Sequence, residues 1–195
     1  MKFPGLSIAA GGVLMTLLFI PFTLAHGPTS FNEEKVVLGL DMLGWGFAMG
    51  VVPNVLIAAG LWRCRDWLAE QHRTARIAHT VICVALFLSA AMDLGFRALG
   101  PPFSVFILAP ATTVAALTLP SPSTRRVLMA GLVGCLWIGL VLALIPLETQ
   151  DEFDGYRITG GVMYGAVGLL WAAFGLSVAL TPRRGVDQVA ESSLS

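Results

Sequence analysis

Asp93 and Arg97 stand four residues apart in an otherwise apolar stretch, LFLSAAMDLGFRALG, over 86–100. Placing a charge in hydrocarbon is costly, so ionisable residues within such a stretch are candidate functional positions. Asp41, His26 and Arg157 are three further candidates, each near the end of an apolar run. Together they would line an outward-facing ligand-binding pocket. Its chemistry would be acid–base transfer by Asp41 or Asp93, or recognition of an anionic headgroup by Arg97. A plainer reading stays open beside it. Residues four apart on a helix form intrahelical ion pairs, and an arginine near a helix end carries its charge to the interface along its methylene stem.

Pro53, followed by Asn54, and Pro110, close to Thr112 and Thr113, interrupt two other apolar runs. Proline cannot donate the backbone bond of a helix interior, so Pro53 frees the carbonyl of Met49. Pro53, Asn54 and Pro110 are therefore candidate hinges. In the alternative reading they are ordinary prolines of membrane helices, with neighbouring Asn and Thr side chains satisfying the freed groups.

The remaining chemistry-bearing residues form no recognised site. Cys64, Cys83 and Cys135 are scattered, and His72 and His79 lie seven apart with no further ligands at useful spacing. This pattern implies neither a metal site nor a cofactor site. No nucleophile-elbow, zincin or phosphate-loop pattern occurs either. A non-enzyme is the expectation.

The elements that must position these residues are helices. Of the 195 residues, 56% are hydrophobic and 12% are charged; soluble domains carry about a quarter charged. Six apolar runs approach the roughly 20 residues of a spanning helix: 4–25, 36–62, 77–98, 102–119, 127–147 and 158–180. They are continuous rather than alternating, which in lipid means helices rather than barrel strands. The expected fold is all-α, a polytopic transmembrane bundle of six helices over 1–184, followed by a disordered cytoplasmic tail over 185–195. A cleaved signal peptide ending at Ala25 is the rival reading of the first run.

Orientation follows from charge. Arg63, Arg65, Arg73 and Arg76 lie between runs two and three, Arg125 and Arg126 between four and five, and Arg183 and Arg184 after six. Glu33, Glu34, Glu148, Asp151, Glu152 and Asp154 lie on the opposite side. Basic loops stay cytoplasmic, so both termini are expected inside a plasma membrane of bacterial inner-membrane type. The candidate site then lies in the outer leaflet, with Asp93 about 8 Å below the helix end at 1.5 Å per residue. Gly46 with Gly50, and Gly161, Gly165 and Gly168, sit at helix-packing spacing and are expected to pack internally.

These readings predict a non-enzymatic helper, sensor or binding subunit of the membrane. The alternatives are a transporter of a small or amphipathic solute and an enzyme acting on a lipid-linked substrate at the outer leaflet. The bilayer is the expected environment, and a membrane-protein partner or a second copy is compatible with it. The zero formal net charge gives no electrostatic footprint for nucleic acid.

Overall fold

A computed structural model describes residues 2–25, 36–69, 72–96, 100–120, 123–144 and 153–181. Within these, the side chains of 23, 42–43, 96, 100–103, 142–143 and 153–162 are not described. The described residues form six α-helices: α1 (Lys2–Ala25), α2 (Met42–Leu68), α3 (Arg73–Phe96), α4 (Gly100–Thr118), α5 (Thr124–Ala143) and α6 (Phe153–Ala179). The tail over 185–195 lies outside them.

The boundaries of α2 differ most from the sequence expectation. Apolarity alone starts this helix at residue 36, but it begins at Met42. Val37 and Leu40 exchange backbone hydrogen bonds of 2.9 and 3.1 Å. Leu38 and Gly39 between them adopt positive φ of 51° and 84°, so the chain turns back on itself. Asp41 then starts the helix: its Oδ1 accepts from the Gly44 N–H at 2.7 Å, which satisfies one of the unpaired donors of the first turn. At the other end α2 runs on to Leu68, through Arg63, Arg65 and Asp66. Helical backbone tolerates charge once the side chains reach the interface.

The helices pack in chain order and α6 returns to α1, closing a ring. Neighbours run antiparallel, as paired positions show: Ser7 Oγ donates to Leu56 O at 2.8 Å, Asn54 Nδ2 donates to Ser89 Oγ at 3.4 Å, and Thr16 Oγ1 donates to Gly165 O at 3.3 Å.

The joint between α1 and α6 is backbone against backbone. Gly5 and Gly12 face Gly175 and Gly168. A Cβ on Gly5 would lie 2.6 Å from the Gly175 carbonyl oxygen, and one on Gly168 would lie 2.7 Å from the Gly12 oxygen. Only hydrogen fits there, which is how small residues let membrane helices approach. Gly168 belonged to the expected packing face. By contrast, a Cβ on Gly165 would meet nothing within 4 Å.

Polarity is distributed inside out. Among the described residues the buried polar side chains are Asn54, His79, Ser89, Asp93, Ser104 and Thr112, while Leu, Val, Ile and Phe dominate the exposed surface. On α1 the exposed residues Phe3, Leu6, Val13, Leu17, Ile20 and Leu24 recur at three, four and seven, the period of one helix face. A soluble monomer rarely presents such continuous apolar stripes. Lys2–Phe22, Gly44–Leu68, Arg73–Gly95 and Thr124–Val141 are each long and apolar enough to cross a membrane, and Ser104–Thr118 and Met163–Ala179 are shorter apolar segments. The arrangement is compatible with a membrane protein.

At one end of the ring the charges are gathered. Asp66 accepts from Arg76 at 3.0 Å, the Arg65 guanidinium lies 3.6 Å from the Trp62 ring centre, and Arg125 lies 4.5 Å from that of Trp67.

Candidate functional site: a cavity inside the helix ring

The ring is not filled to its axis. A cavity of about 190 Å³ lies within it, in the half away from the arginine-rich end. Every helix contributes a wall. Met15 comes from α1, Gly50 and Asn54 from α2, Leu86 and Ser89 from α3, Ser104 and Leu108 from α4, Cys135 and Leu136 from α5, and Tyr164, Val167 and Trp171 from α6. The lining is mostly apolar, with Asn54, Ser89 and Ser104 as a polar patch on adjoining helices. An apolar pocket with a few convergent polar groups is the usual form of a small-molecule site.

The patch is built by helix periodicity. Asn54 stands four residues after Gly50 and turns its amide back, donating from Nδ2 to the Gly50 carbonyl at 2.7 Å. The same nitrogen lies 3.4 Å from Ser89 Oγ across the α2–α3 contact. Asp93 stands four residues beyond Ser89, on the same face of α3 and therefore one turn nearer that helix end. Its side chain is fully buried and occupies the space that a side chain on Gly50 would fill. The carboxyl group thus backs the polar patch from behind Gly50, which itself lines the cavity.

The sequence-predicted residues separate. Asp93 is buried in the bundle next to the cavity wall, while Asp41 caps α2. The nine-residue step from Asp41 to Gly50 spans about 13 Å of helix, so Asp41 and Asp93 do not share a site. His26 and Arg97 lie outside the described residues, and so does the expected Asp93–Arg97 pairing. Arg157 is on α6, with its side chain not described.

Pro53 and Pro110 lie inside unbroken helices. Asn54 bonds the carbonyl of Gly50 rather than that of Met49. Thr112 and Thr113 bond those of Leu108 and Ala109. The neighbouring polar side chains therefore brace the turns beside each proline instead of capping the freed carbonyl. Asn54 is the one predicted hinge residue that lines the cavity.

Ser89, Ser104, Cys135, Tyr164 and Trp171 were missed by sequence reasoning. A lone serine or cysteine in an apolar run carries no signal until the ring brings several together. His79 is fully buried. Its Nδ1 lies 2.8 Å from the Ala75 carbonyl, and its Nε2 has no hydrogen-bond partner. Among the described residues no three His, Cys, Asp or Glu side chains are grouped to hold a metal ion.

No protein-family model matches the chain, no curated protein is similar to it, and no solved structure matches it.

Proposed function

We propose that the chain is a multi-pass plasma-membrane protein, bacterial in type, with both termini cytoplasmic. It serves as a non-enzymatic binding subunit, holding a small amphipathic molecule inside its helix ring. The observation that carries this reading is the cavity of about 190 Å³ walled by all six helices. Apolar cavities of about 150 Å³ admit a benzene ring, so the space suits a ring-sized group or a short length of alkyl chain. Asn54, Ser89 and Ser104 would receive a hydrogen-bonding head. His26, Arg97 and Arg157, the charged candidates of the sequence, would supply its charged rim.

A ligand that binds only the folded state raises stability by mass action, by about 2.7 kcal/mol at a hundredfold excess over Kd. Phenol, a ring with one hydroxyl, is the probe. It should raise the thermal midpoint of the purified protein in lipid nanodiscs in a saturable way. The same titration on Gly139→Phe should give no shift. A Cβ at Gly139 meets only Val105 Cγ2, at 3.8 Å, so the new ring can occupy the cavity. If phenol shifts neither protein, the cavity is not a binding site.

A transporter is the second reading. Pro53 immediately precedes the cavity-lining Asn54, and Pro110 lies two residues beyond the cavity-lining Leu108, so bending at either proline would alter the cavity walls. Uptake of labelled phenol into proteoliposomes, abolished by Pro53→Ala with binding retained, would favour it over a static binding subunit.

A further inference from the structure

The walls of the cavity are not equally secured. On α6, the residues level with it lean on α1: Tyr164 stacks on Phe19 at 5.4 Å, Thr16 donates to the Gly165 carbonyl, and Gly168 abuts Gly12. On α5, the residues at that level lean the other way, on α4. Trp137 Nε1 donates to Thr113 Oγ1 at 3.1 Å, and Gly139 faces Val105. Deeper in the ring the two helices do meet, with Leu170 side-chain carbons 3.1 Å from the position of a Cβ on Gly131.

Burial tells the same story. Met129 and Leu132, in the first half of α5, are fully buried. Among the described residues from Val133 to Leu144 none is buried. Yet Cys135, Leu136 and Gly139 line the cavity, as do Met163, Tyr164 and Val167 across from them on α6. The α5 wall is thus buried deeper in the ring and only half-enclosed at the level of the cavity, which marks it as the thin one. Here the thin place falls between two helices drawn apart by their other neighbours.

We infer that the cavity opens sideways into the bilayer between α5 and α6, and that its ligand is a lipid-dissolved amphipath. This rests on the binding reading above. The ring-sized, hydrogen-bonding head sits against Asn54, Ser89 and Ser104. The apolar tail leaves past Cys135 and Val167 into the surrounding lipid. The size of the cavity supports this: about 190 Å³ holds a head of ring size but not a long chain as well. A tail therefore needs a way out, and an apolar one. The exposed surface of α5 beside the gap, Ile138 and Val141 among it, is apolar, so the emerging tail meets lipid.

The test is photolabelling of the intact protein in nanodiscs with 4-octylphenol carrying a diazirine in mid-tail, with peptides mapped by mass spectrometry. The expected result is saturable labelling confined to Cys135, Ile138, Met163 and Val167, reduced at least tenfold by excess phenol. Phenol-competed labelling on α2 or α3 instead would place the tail inward, overturning the sideways opening while leaving the cavity as a binding site. Labelling that phenol does not reduce would mean the head is not in the cavity, and both readings fall.

Discussion

The Asp93 carboxyl carbon lies 2.6 Å from the point that a Cβ on Gly50 would occupy. The aspartate thus fills the missing side chain of a residue on the neighbouring helix. This one relationship joins packing to the site: Gly50 lines the cavity, and its carbonyl accepts from Asn54. A buried carboxyl group needs polar surroundings. The close approach of backbone that only glycine permits brings Asp93 beside the Asn54–Ser89 patch.

Gly50→Ala should therefore destabilise the protein, because its methyl group and the carboxyl group cannot share the space. Overpacking of this kind costs about 1–3 kcal/mol. In an Asp93→Ala background the same methyl group has room, so the two changes should be non-additive. A double-mutant cycle on denaturation midpoints isolates the coupling, which for residues in contact is typically about 0.5–3 kcal/mol. Additive effects would show that Asp93 does not rest against Gly50.

The joint between α1 and α6 makes a sharper demand. A Cβ on Gly12 would collide with the backbone of Gly168 and Ala172, and neither helix can yield without moving as a body. Gly12→Val should abolish the folded ring or lower its thermal midpoint by many degrees. Gly134 is the control. A Cβ there meets nothing within 4 Å, so Gly134→Ala should be neutral or gain up to about 1 kcal/mol from helix propensity. Equal effects of the two substitutions would dissolve the distinction between a packed joint and an open face.

Much of the helical scaffold was legible because apolar runs of spanning length leave few choices for a chain. All six helices appear where the runs are, and their ends differ where local chemistry overrides apolarity. The turn at Val37–Leu40 and the Asp41 cap displaced the start of α2. The ring closure was not legible. It depends on Gly5 and Gly12 meeting Gly168 and Gly175, about 160 residues away in the chain, and pairing at such separation has no local signature. The cavity was hidden for a related reason. Ser89, Ser104 and Cys135 are unremarkable singly, and only the ring turns them toward one space. Asp93 was found because charge in an apolar segment is conspicuous. Asp41 looked comparable because it stands near the end of an apolar run, but a helix start just beyond it gives an aspartate a structural use.

That use separates two roles for Asp41. As an N-cap it contributes about 1 kcal/mol of stability, and it lies outside the cavity wall. Asp41→Ala should lower the thermal midpoint modestly and leave the phenol-induced shift unchanged. Asp41→Asn should restore most of the loss, since the amide oxygen can accept from the Gly44 N–H as the carboxylate does. Loss of the phenol response in both variants would return Asp41 to the binding site.

The proposed orientation makes the broadest prediction. If the arginine-rich end of the ring is cytoplasmic, Arg73, exposed at the start of α3, faces the cytoplasm. Asp151, just before α6, then faces the opposite compartment. Cysteines introduced singly at these positions, in a Cys135→Ala background, report the side directly. The two remaining native thiols, Cys64 and Cys83, are buried and should stay silent. In intact cells an impermeant maleimide should label Asp151→Cys and not Arg73→Cys, and inverted vesicles should reverse the pattern. Labelling of both from one side would break the antiparallel threading of α3 and α6. Labelling of Arg73→Cys alone in intact cells would keep the ring but turn it over in the membrane, and the cavity would then face the cytoplasmic half.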